Sequence, residues 1–419
     1  MMDTVNQPDG VALSAPAVGP DQSLGWRKLL ILAAGAFAVG TSEFLMMGTL
    51  PAVAADLGVS VAAAGQLVSA FAIGIAVGGP LLAGAVSRYD RRKVLVGALL
   101  AFMAANAVGV IAPVYSLAIV MRFVAGAFGG LFYGIAFSTA ATTAAPNRQG
   151  AAMAIVMGGV TMATVLGTPL GAWIGQHLGW RTPYGLISAL TFGVAAAVHL
   201  LLPRIPGQAN LGSGVKGAID GIRSLFSVFD NRPLTLLYLA IILVNTGWFA
   251  LYTYIAPFWT EVSGVSAATV PTALLAYGIF SAIGGAAGGK LANGHATTTM
   301  LGSVGAQAIL LGAMMFSTTA TVSLVIAMLW GFAAWVFVTA VQVRVVALAR
   351  AQSDVASSVA VSAFNVGNAA GALAGGAVVA HYGLVATPAA AAGFVLAGLA
   401  IALFSGRRPA AAERLEQGS

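Results

Sequence analysis

One acidic side chain lies in the middle of a long apolar segment of this 419-residue chain. The run 29–50 is long enough to cross a bilayer, and Glu43 is its only charged residue. An ionised carboxylate at membrane depth is costly, so such residues mark proton or ion pathways. The position of Glu43 therefore predicts that its side chain binds and releases protons. An alternative is a protonated Glu43 that only forms hydrogen bonds between packed helices.

A basic residue, Arg122, also lies within an apolar segment, about two turns from its start. A guanidinium at that depth needs an anion or several carbonyl groups, and Glu43 is the only carboxylate within an apolar segment. We therefore expect Arg122 to take part in proton coupling by Glu43. An alternative is that the Arg122 side chain extends to the membrane surface.

The composition excludes most other classes of protein. Hydrophobic residues make up 59% of the chain and charged residues 7%, against roughly 25% charged residues in soluble domains. The absence of cysteine excludes disulfides and thiolate metal sites. We find no phosphate-binding loop, no metal-ligand set and no nucleophile motif, so we expect neither an enzyme nor a cofactor. The net charge of +7 is spread over short loops, which argues against binding of nucleic acid.

Apolar runs of about 20 residues predict an all-α polytopic membrane protein with twelve transmembrane helices. The polar stretch 204–233, an inter-bundle loop, separates two pseudo-symmetric six-helix bundles, 27–203 and 234–405, and the tails are 1–26 and 406–419. The predicted spans are 27–50, 62–86, 93–112, 116–142, 151–175, 183–203, 234–258, 270–292, 298–318, 321–348, 356–380 and 385–405.

The basic residues predict the orientation of these spans. If the N-terminus is cytoplasmic, sixteen Lys and Arg residues fall on the cytoplasmic side, and the outer loops contain only Arg181. This distribution follows the positive-inside rule. We therefore expect a multi-pass membrane protein with both termini in the cytoplasm.

The two halves resemble each other in sequence. Four residues in and after predicted span five recur, with the same residue types, 204 positions later. They are Gly167, Gly171, His177 and Gly179, which match Gly371, Gly375, His381 and Gly383. Duplicated halves are typical of alternating-access carriers, whose binding site lies near the bilayer midplane. An alternative is chance matching in a chain with 53 glycines. Since one chain contains both halves, we expect a monomer.

Aromatic and amide side chains are concentrated in a few spans. Aromatic walls with few polar groups suit bulky, weakly polar ligands, although packing explains any single residue equally well. We predict a small-molecule site that includes Phe44, Met47, Phe132, Tyr133, Asn245, Trp248, Phe249, Tyr252, Gln342, Phe364, Asn365 and Asn368.

The loop after predicted span two is similar to the signature of the major facilitator superfamily, Gly-x-x-x-Asp-Arg-x-Gly-Arg-Arg. Arg88, Arg91 and Arg92 match it, whereas Ser87 replaces the acid and Asp90 replaces the second glycine. The resemblance implies that this loop stabilises the outward-facing state, with Asp90 taking part of the acid's role. An alternative is a basic cluster that only sets topology.

Two further motifs resemble the same family. Arg122 precedes a glycine-rich stretch, as in its span-four motif, which implies a role in proton coupling. Gly167-x-Pro169-x-Gly171 resembles the antiporter signature of its drug:proton antiporter branch. The resemblance implies that spans five and eleven, the latter with Gly371 and Gly375, form a conformational gate. Ordinary glycine-mediated helix packing is the alternative.

Predicted span one resembles the branch that holds arabinose-, purine-nucleoside- and chloramphenicol-type efflux permeases, through Thr41, Glu43, Phe44, Gly48, Leu50 and Pro51. This resemblance implies a proton-driven antiporter of the bacterial inner membrane that exports small, fairly apolar compounds, including antibiotics. The alternative is a dedicated exporter of a metabolite such as a sugar or purine nucleoside.

Overall fold

The computed structural model describes residues 25–112, 114–145, 148–207, 227–317, 319–349 and 353–406, and the predicted tails and most of the predicted loop 204–233 fall outside these ranges. The regular elements in these ranges are helices, and twelve are long and apolar enough to cross a membrane. The predicted fold is therefore confirmed. The helices are α1 Trp26–Asp56, α2 Val61–Val86, α3 Arg91–Ile111, α4 Tyr115–Thr143, α5 Gln149–Leu178, α6 Arg181–Leu201, α7 Arg232–Tyr252, α8 Ala267–Leu291, α9 Ala296–Met314, α10 Ala320–Ala349, α11 Val355–Tyr382 and α12 Leu384–Phe404.

Two helix ends differ most from the prediction, and both lie near proline. Helix α1 was predicted to end at residue 50 but continues through Pro51 to Asp56. Helix α7 was predicted to reach residue 258 but ends at Tyr252, before Pro257. Proline removes one backbone hydrogen bond and its ring crowds the carbonyl four residues earlier, so it bends a helix or ends it according to the local packing.

Widened helical turns lie close to three prolines. The π-helical turns Gly74–Gly78 in α2 and Ala163–Gly167 in α5 come just before Pro80 and Pro169. A third, Phe258–Val262, follows Pro257. A π turn adds one residue and so moves the carbonyl groups away from the proline ring.

The packing of glycines repeats between the two halves. A Cβ atom on Gly167 or Gly171 of α5 would meet α1 at Thr41 or Leu45. In the second half, a Cβ atom on Gly371 or Gly375 of α11 would meet α7. The contacts there are with Thr246 and Ala250, and each lies 205 positions after its counterpart in α1, Thr41 or Leu45. The sequence repeat is therefore also a repeat of helix contacts, in which missing side chains allow close approach.

The two bundles, α1–α6 and α7–α12, contact each other mainly on one side. We call the face that carries Trp26 proximal and the face that carries the α1–α2 turn distal. Helix α2 packs on α11 through Val61–Gly78, and α5 packs on α8 through Ala163–Leu178, which are the distal parts of both helices. Ser69 Oγ donates to the Ala369 carbonyl at 3.0 Å within this interface. The proximal segments Gly79–Val86 and Gln149–Met162 pack within their own bundle.

Candidate functional site

Glu43 lies near the middle of α1 with only 7% of its surface exposed. Asn368 of α11, which belongs to the other bundle, is a side-chain neighbour of Glu43. The electrostatic field at Glu43 also includes the Arg122 guanidinium. The buried carboxyl group therefore lies where a change in its protonation is felt by both bundles.

Arg122 is held inside the first bundle by groups other than the Glu43 carboxylate. Its Nη1 atom donates to the Ser42 carbonyl at 3.1 Å and to Ser42 Oγ at 3.2 Å. Its Nε atom donates to the Leu67 carbonyl at 3.5 Å, and the guanidinium carbon lies 4.3 Å from the Phe71 ring centroid. With 7% of its surface exposed, Arg122 does not extend to the membrane surface.

Two residues that sequence reasoning missed complete this network. Ser42 Oγ donates to Asn106 Oδ1 of α3 at 2.8 Å while it accepts from Arg122. Asn106 is fixed in turn, because its Nδ2 atom donates to the Phe102 carbonyl at 2.9 Å. Asn106 is a lone amide in an apolar span, and that signal was available in the sequence. Ser42 gives no such signal, because serine is common in membrane helices.

Salt bridges contribute little to the site. Within the described ranges, the one ion pair with atoms closer than 4 Å joins Arg181 of α6 to Asp56 of α1 at the distal face. Both side chains are more than one third exposed, so this pair contributes at most about 1 kcal/mol. The region around Glu43 is therefore built from one carboxyl group and from hydrogen bonds rather than from a buried ion pair.

The second bundle contains a compact aromatic cluster. Trp248 Nε1 donates to the Tyr277 hydroxyl at 2.9 Å. The Tyr277 ring stacks on Tyr252, with centroids 5.0 Å apart and an angle of 24° between the rings. Trp330 and Phe249 pack edge-on against this group. The sequence analysis predicted Phe249, Trp248 and Tyr252 as binding residues but missed Tyr277. The span of Tyr277 offers only two aromatic residues, Tyr277 and Phe280, among small and aliphatic ones.

Three buried amides line the neighbouring wall formed by α7 and α11. Asn245 Nδ2 donates to the Ile241 carbonyl at 2.9 Å, and Asn365 Nδ2 donates to the Val361 carbonyl at 3.0 Å. The Oδ1 atoms of Asn245, Asn365 and Asn368 are buried and have no hydrogen-bond partner. Each such oxygen costs about 1–3 kcal/mol relative to a satisfied one.

The remaining predicted binding residues are distributed over both bundles. Phe132 is fully buried against Gly35 of α1, and the Tyr133 hydroxyl donates to the Ala36 carbonyl at 3.3 Å. These contacts hold α4 against α1. Met47 is fully buried, whereas Phe44, Phe364 and Gln342 are partly buried. Phe364 packs edge-on against Phe337 at 6.3 Å.

The basic residues after α2 bind within the first bundle. Arg91 Nη1 donates to Ser138 Oγ at 3.1 Å and to Thr142 Oγ1 at 2.9 Å, both on α4. Arg92 Nη1 lies 3.3 Å from two carbonyl oxygens at the end of α6. These two arginines therefore hold α3 to α4 and α6.

The other residues of this loop also make local contacts. Asp90 caps α3 by accepting from the Lys93 backbone N–H at 3.2 Å. Ser87 Oγ donates to the Gly84 carbonyl at 3.1 Å, and Arg88 lies over the Tyr89 ring. Among the described residues, the side chains of this loop form hydrogen bonds only within the first bundle, and the Arg91 backbone N–H donates to the Ile205 carbonyl just beyond α6 at 2.8 Å.

Comparisons with known proteins decide the family. A family model described as the Major Facilitator Superfamily matches residues 32–362. The chain belongs to this superfamily. It is 34% identical to the inner membrane transport protein YdhP of Escherichia coli K12, over 90% of this chain and 94% of that protein. It is 32% identical to a chloramphenicol resistance protein of Streptomyces lividans, over 84% of this chain and 89% of that protein. This protein is therefore a multi-pass inner-membrane transporter.

Solved structures share the superfamily fold. A mutant of the nucleoside transporter NupG matches with a TM-score of 0.69 at 15% identity, over 91% of this chain and 99% of that one. A bacterial homologue of the human lysosomal transporter Spinster, described as inward-facing and unoccupied, also matches with a TM-score of 0.69. The identity is 16%, and the match covers 92% of this chain and 98% of that one. At these identities the likeness concerns the fold alone.

Proposed function

We propose that this transporter exports small, fairly apolar compounds in exchange for protons, by alternating access. The observation that carries the proposal is the placement of Glu43, a buried carboxyl group in contact with the opposite bundle through Asn368. Burial of an ionisable group at membrane depth costs free energy, so its presence there indicates a function. The similarity to a chloramphenicol resistance protein supports a drug-like substrate.

Coupling follows from the position of Glu43 between the bundles. Ionised Glu43 only accepts hydrogen bonds, whereas protonated Glu43 also donates one. The change alters its interaction with Asn368 and with the nearby charge on Arg122, and so shifts the balance between the two conformations. Substrate bound at the wall formed by α7 and α11 shifts that balance in the opposite direction, which is the condition for exchange of substrate against protons.

The conformation fits the export of substrates from the cytoplasm. The bundles meet along the distal parts of α2, α5, α8 and α11. The positive-inside rule places the proximal face in the cytoplasm, together with both termini. In this arrangement the site opens inward, toward the side from which an exporter takes its substrate. We propose that the loop Ser87–Arg92 contacts the second bundle only in the opposite state, and that the transporter acts as a monomer.

Proton release in inverted membrane vesicles tests this function. A panel of chloramphenicol-like drugs, dyes, purines and pentoses is added at a fixed proton gradient, and the change in internal pH is recorded. We expect substrate-dependent proton movement that Glu43→Gln abolishes, because the amide cannot exchange a proton. The matched control is Glu261→Gln, which changes an exposed residue beyond α7. Concentrative efflux that survives in Glu43→Gln would exclude the proposal.

A metabolite exporter is the second candidate. It is favoured by the three buried asparagines that line α7 and α11, which we call the amide wall. Asn245, Asn365 and Asn368 bind sugar or nucleoside hydroxyls as readily as polar groups on a drug. The same panel separates the two, because a metabolite exporter responds only to purines or pentoses. Proton release triggered by dyes and drugs would identify the broader exporter.

A further inference from the structure

The hydrogen bonds of the amide wall fix the direction of its free groups. Oxygen and nitrogen of an asparagine amide are easily exchanged in a structure, but a bond to a backbone carbonyl requires the NH₂ group. Asn245 and Asn365 each make such a bond to the carbonyl four residues earlier. Their Oδ1 atoms therefore point away from their own helix backbone and are acceptors.

The unpaired acceptors are gathered on α11 beside the proton site. Asn365 and Asn368 are three residues apart, so their side chains lie on one face of the helix, one turn from each other. Each is 8% exposed, and each has a buried Oδ1 atom without a partner. Asn368 also neighbours Glu43, and Asn365 lies one turn toward the proximal face. Asn245 approaches the same helix, since its Cβ atom is 2.7 Å from where a Gly367 Cβ would lie.

Donors near this wall are largely occupied. The Trp248 N–H is bound to the Tyr277 hydroxyl. Arg122 is directed into the first bundle by Ser42 and Leu67, and its Nη2 atom is buried there without a partner. Trp330 Nε1, on α10 in the aromatic cluster, is an unpaired donor. A ligand at the amide wall therefore meets mainly acceptor oxygens and aromatic faces, with the Trp330 indole N–H farther along.

We infer that the substrate bears at least two hydrogen-bond donors, N–H or O–H, on an aromatic body, and that the amide oxygens of Asn365 and Asn368 accept them. This inference rests on the proposed transport function and names the class of its substrate. The donors satisfy oxygens that are otherwise buried without partners, and the ring packs on Trp248 and Tyr252. One donor then lies beside Glu43, which explains how substrate and proton influence each other. Carboxylates and phosphates fit this wall poorly, because its free groups are acceptor oxygens and the Arg122 guanidinium is directed into the first bundle.

Equilibrium binding to the purified transporter in detergent tests the inference at one fixed pH. The probes are matched pairs of aromatic amides, amines and diols, each with an analogue in which every N–H and O–H is methylated; chloramphenicol is one parent. Tryptophan fluorescence reports the dissociation constant of each compound. We expect each pair to favour the donor-bearing parent by about 3- to 10-fold for each donor removed, the range expected for one hydrogen bond.

Variants assign the preference to the wall. Asn365→Leu removes the acceptor at similar volume and is expected to bring the ratio within each pair close to one. Asn365→Asp keeps acceptor oxygens and preserves the preference, which separates loss of the acceptor from misfolding. Asn293→Leu changes an exposed loop amide and serves as the matched control. Equal affinity within the pairs, no binding of any parent, or a preference that survives Asn365→Leu would overturn the inference. Because binding is measured without a proton gradient, the outcome is independent of whether proton release occurs.

Discussion

The two bundles share one scaffold but place different chemistry at equivalent positions. Gly126 of α4 packs on α2, and Gly331 of α10 packs on α8, with 331 − 126 = 205 residues between them. The same offset relates Glu43 to Trp248, since 248 − 43 = 205. The carboxyl group of the first bundle therefore corresponds to an indole in the second.

Other site residues also differ in chemical type between equivalent positions of the two bundles. Arg122 corresponds to Ala327, because 327 − 122 = 205. The Phe71 ring under the guanidinium corresponds, with one more residue, to Tyr277, the hydrogen-bond partner of Trp248. Since glycine contacts hold the helices together in both halves, the site side chains were free to differ. In the proposed mechanism, the first bundle binds the proton and the second provides the wall for substrate.

Replacing Arg122 tests the role of the first bundle and has the largest expected effect. In Arg122→Met, Ser42 and the Leu67 carbonyl lose their donor, and Glu43 loses the nearby positive charge. We expect substrate-dependent proton release to fall at least tenfold, which corresponds to about 1.4 kcal/mol or more, while substrate binding changes less than threefold. Proton release in inverted vesicles and binding in detergent measure the two effects.

The matched control is Arg181→Met, which removes the partly exposed ion pair with Asp56 and a hydrogen bond to the Val110 carbonyl, both far from Glu43 at the distal face. A surface pair of this kind contributes little, so this variant is expected to keep coupling near that of the wild type. A coupled Arg122→Met transporter would show that the proton site does not need the guanidinium.

Replacing Trp248 tests the opposite assignment. Trp248→Leu removes the bond to Tyr277 and the ring contacts with Phe249 and Tyr252. Aromatic contacts contribute about 0.5–1.5 kcal/mol beyond burial, so we expect substrate affinity to fall roughly tenfold. The number of protons released per substrate stays unchanged, as measured at saturating substrate.

The control for this change is Trp173→Leu, at an exposed position of α5. Unchanged affinity is expected there. If Trp248→Leu instead altered the ratio of protons to substrate, the assignment of proton binding to the first bundle alone would be wrong.

Replacing Ser42 has the smallest expected effect on transport and tests the link between Arg122 and α3. Ser42→Ala removes the bond to Asn106 and one of the two Nη1 contacts of Arg122. The loss corresponds to about 1–3 kcal/mol of stability in the first bundle, because Asn106 Oδ1 is left buried without its donor. Thermal unfolding in detergent measures this as a lower midpoint. In the control Ser188→Ala, only a hydroxyl bonded within its own helix is removed, so a smaller shift is expected.

Much of this architecture was predictable because hydropathy is a local property of the chain. Glu43 and Arg122 were identified because a charge in an apolar span stands out without knowledge of its neighbours. Tyr277 and Ser42 were missed, because their importance depends on Trp248 and Arg122, which lie far away in the sequence. The end of α7 was misplaced, because the effect of Pro257 depends on packing rather than on its presence alone.

The sequence by itself determined the class of protein, the twelve spans and the position of the one acid at membrane depth. Only the tertiary structure decided that Arg122 binds Ser42, that Asn368 adjoins Glu43 and that the bundles meet on their distal side. The physical reason lies in the rotation of each helix about its axis. That rotation is set by close contacts of glycines such as Gly167 and Gly371 with other helices, and no single span contains this information.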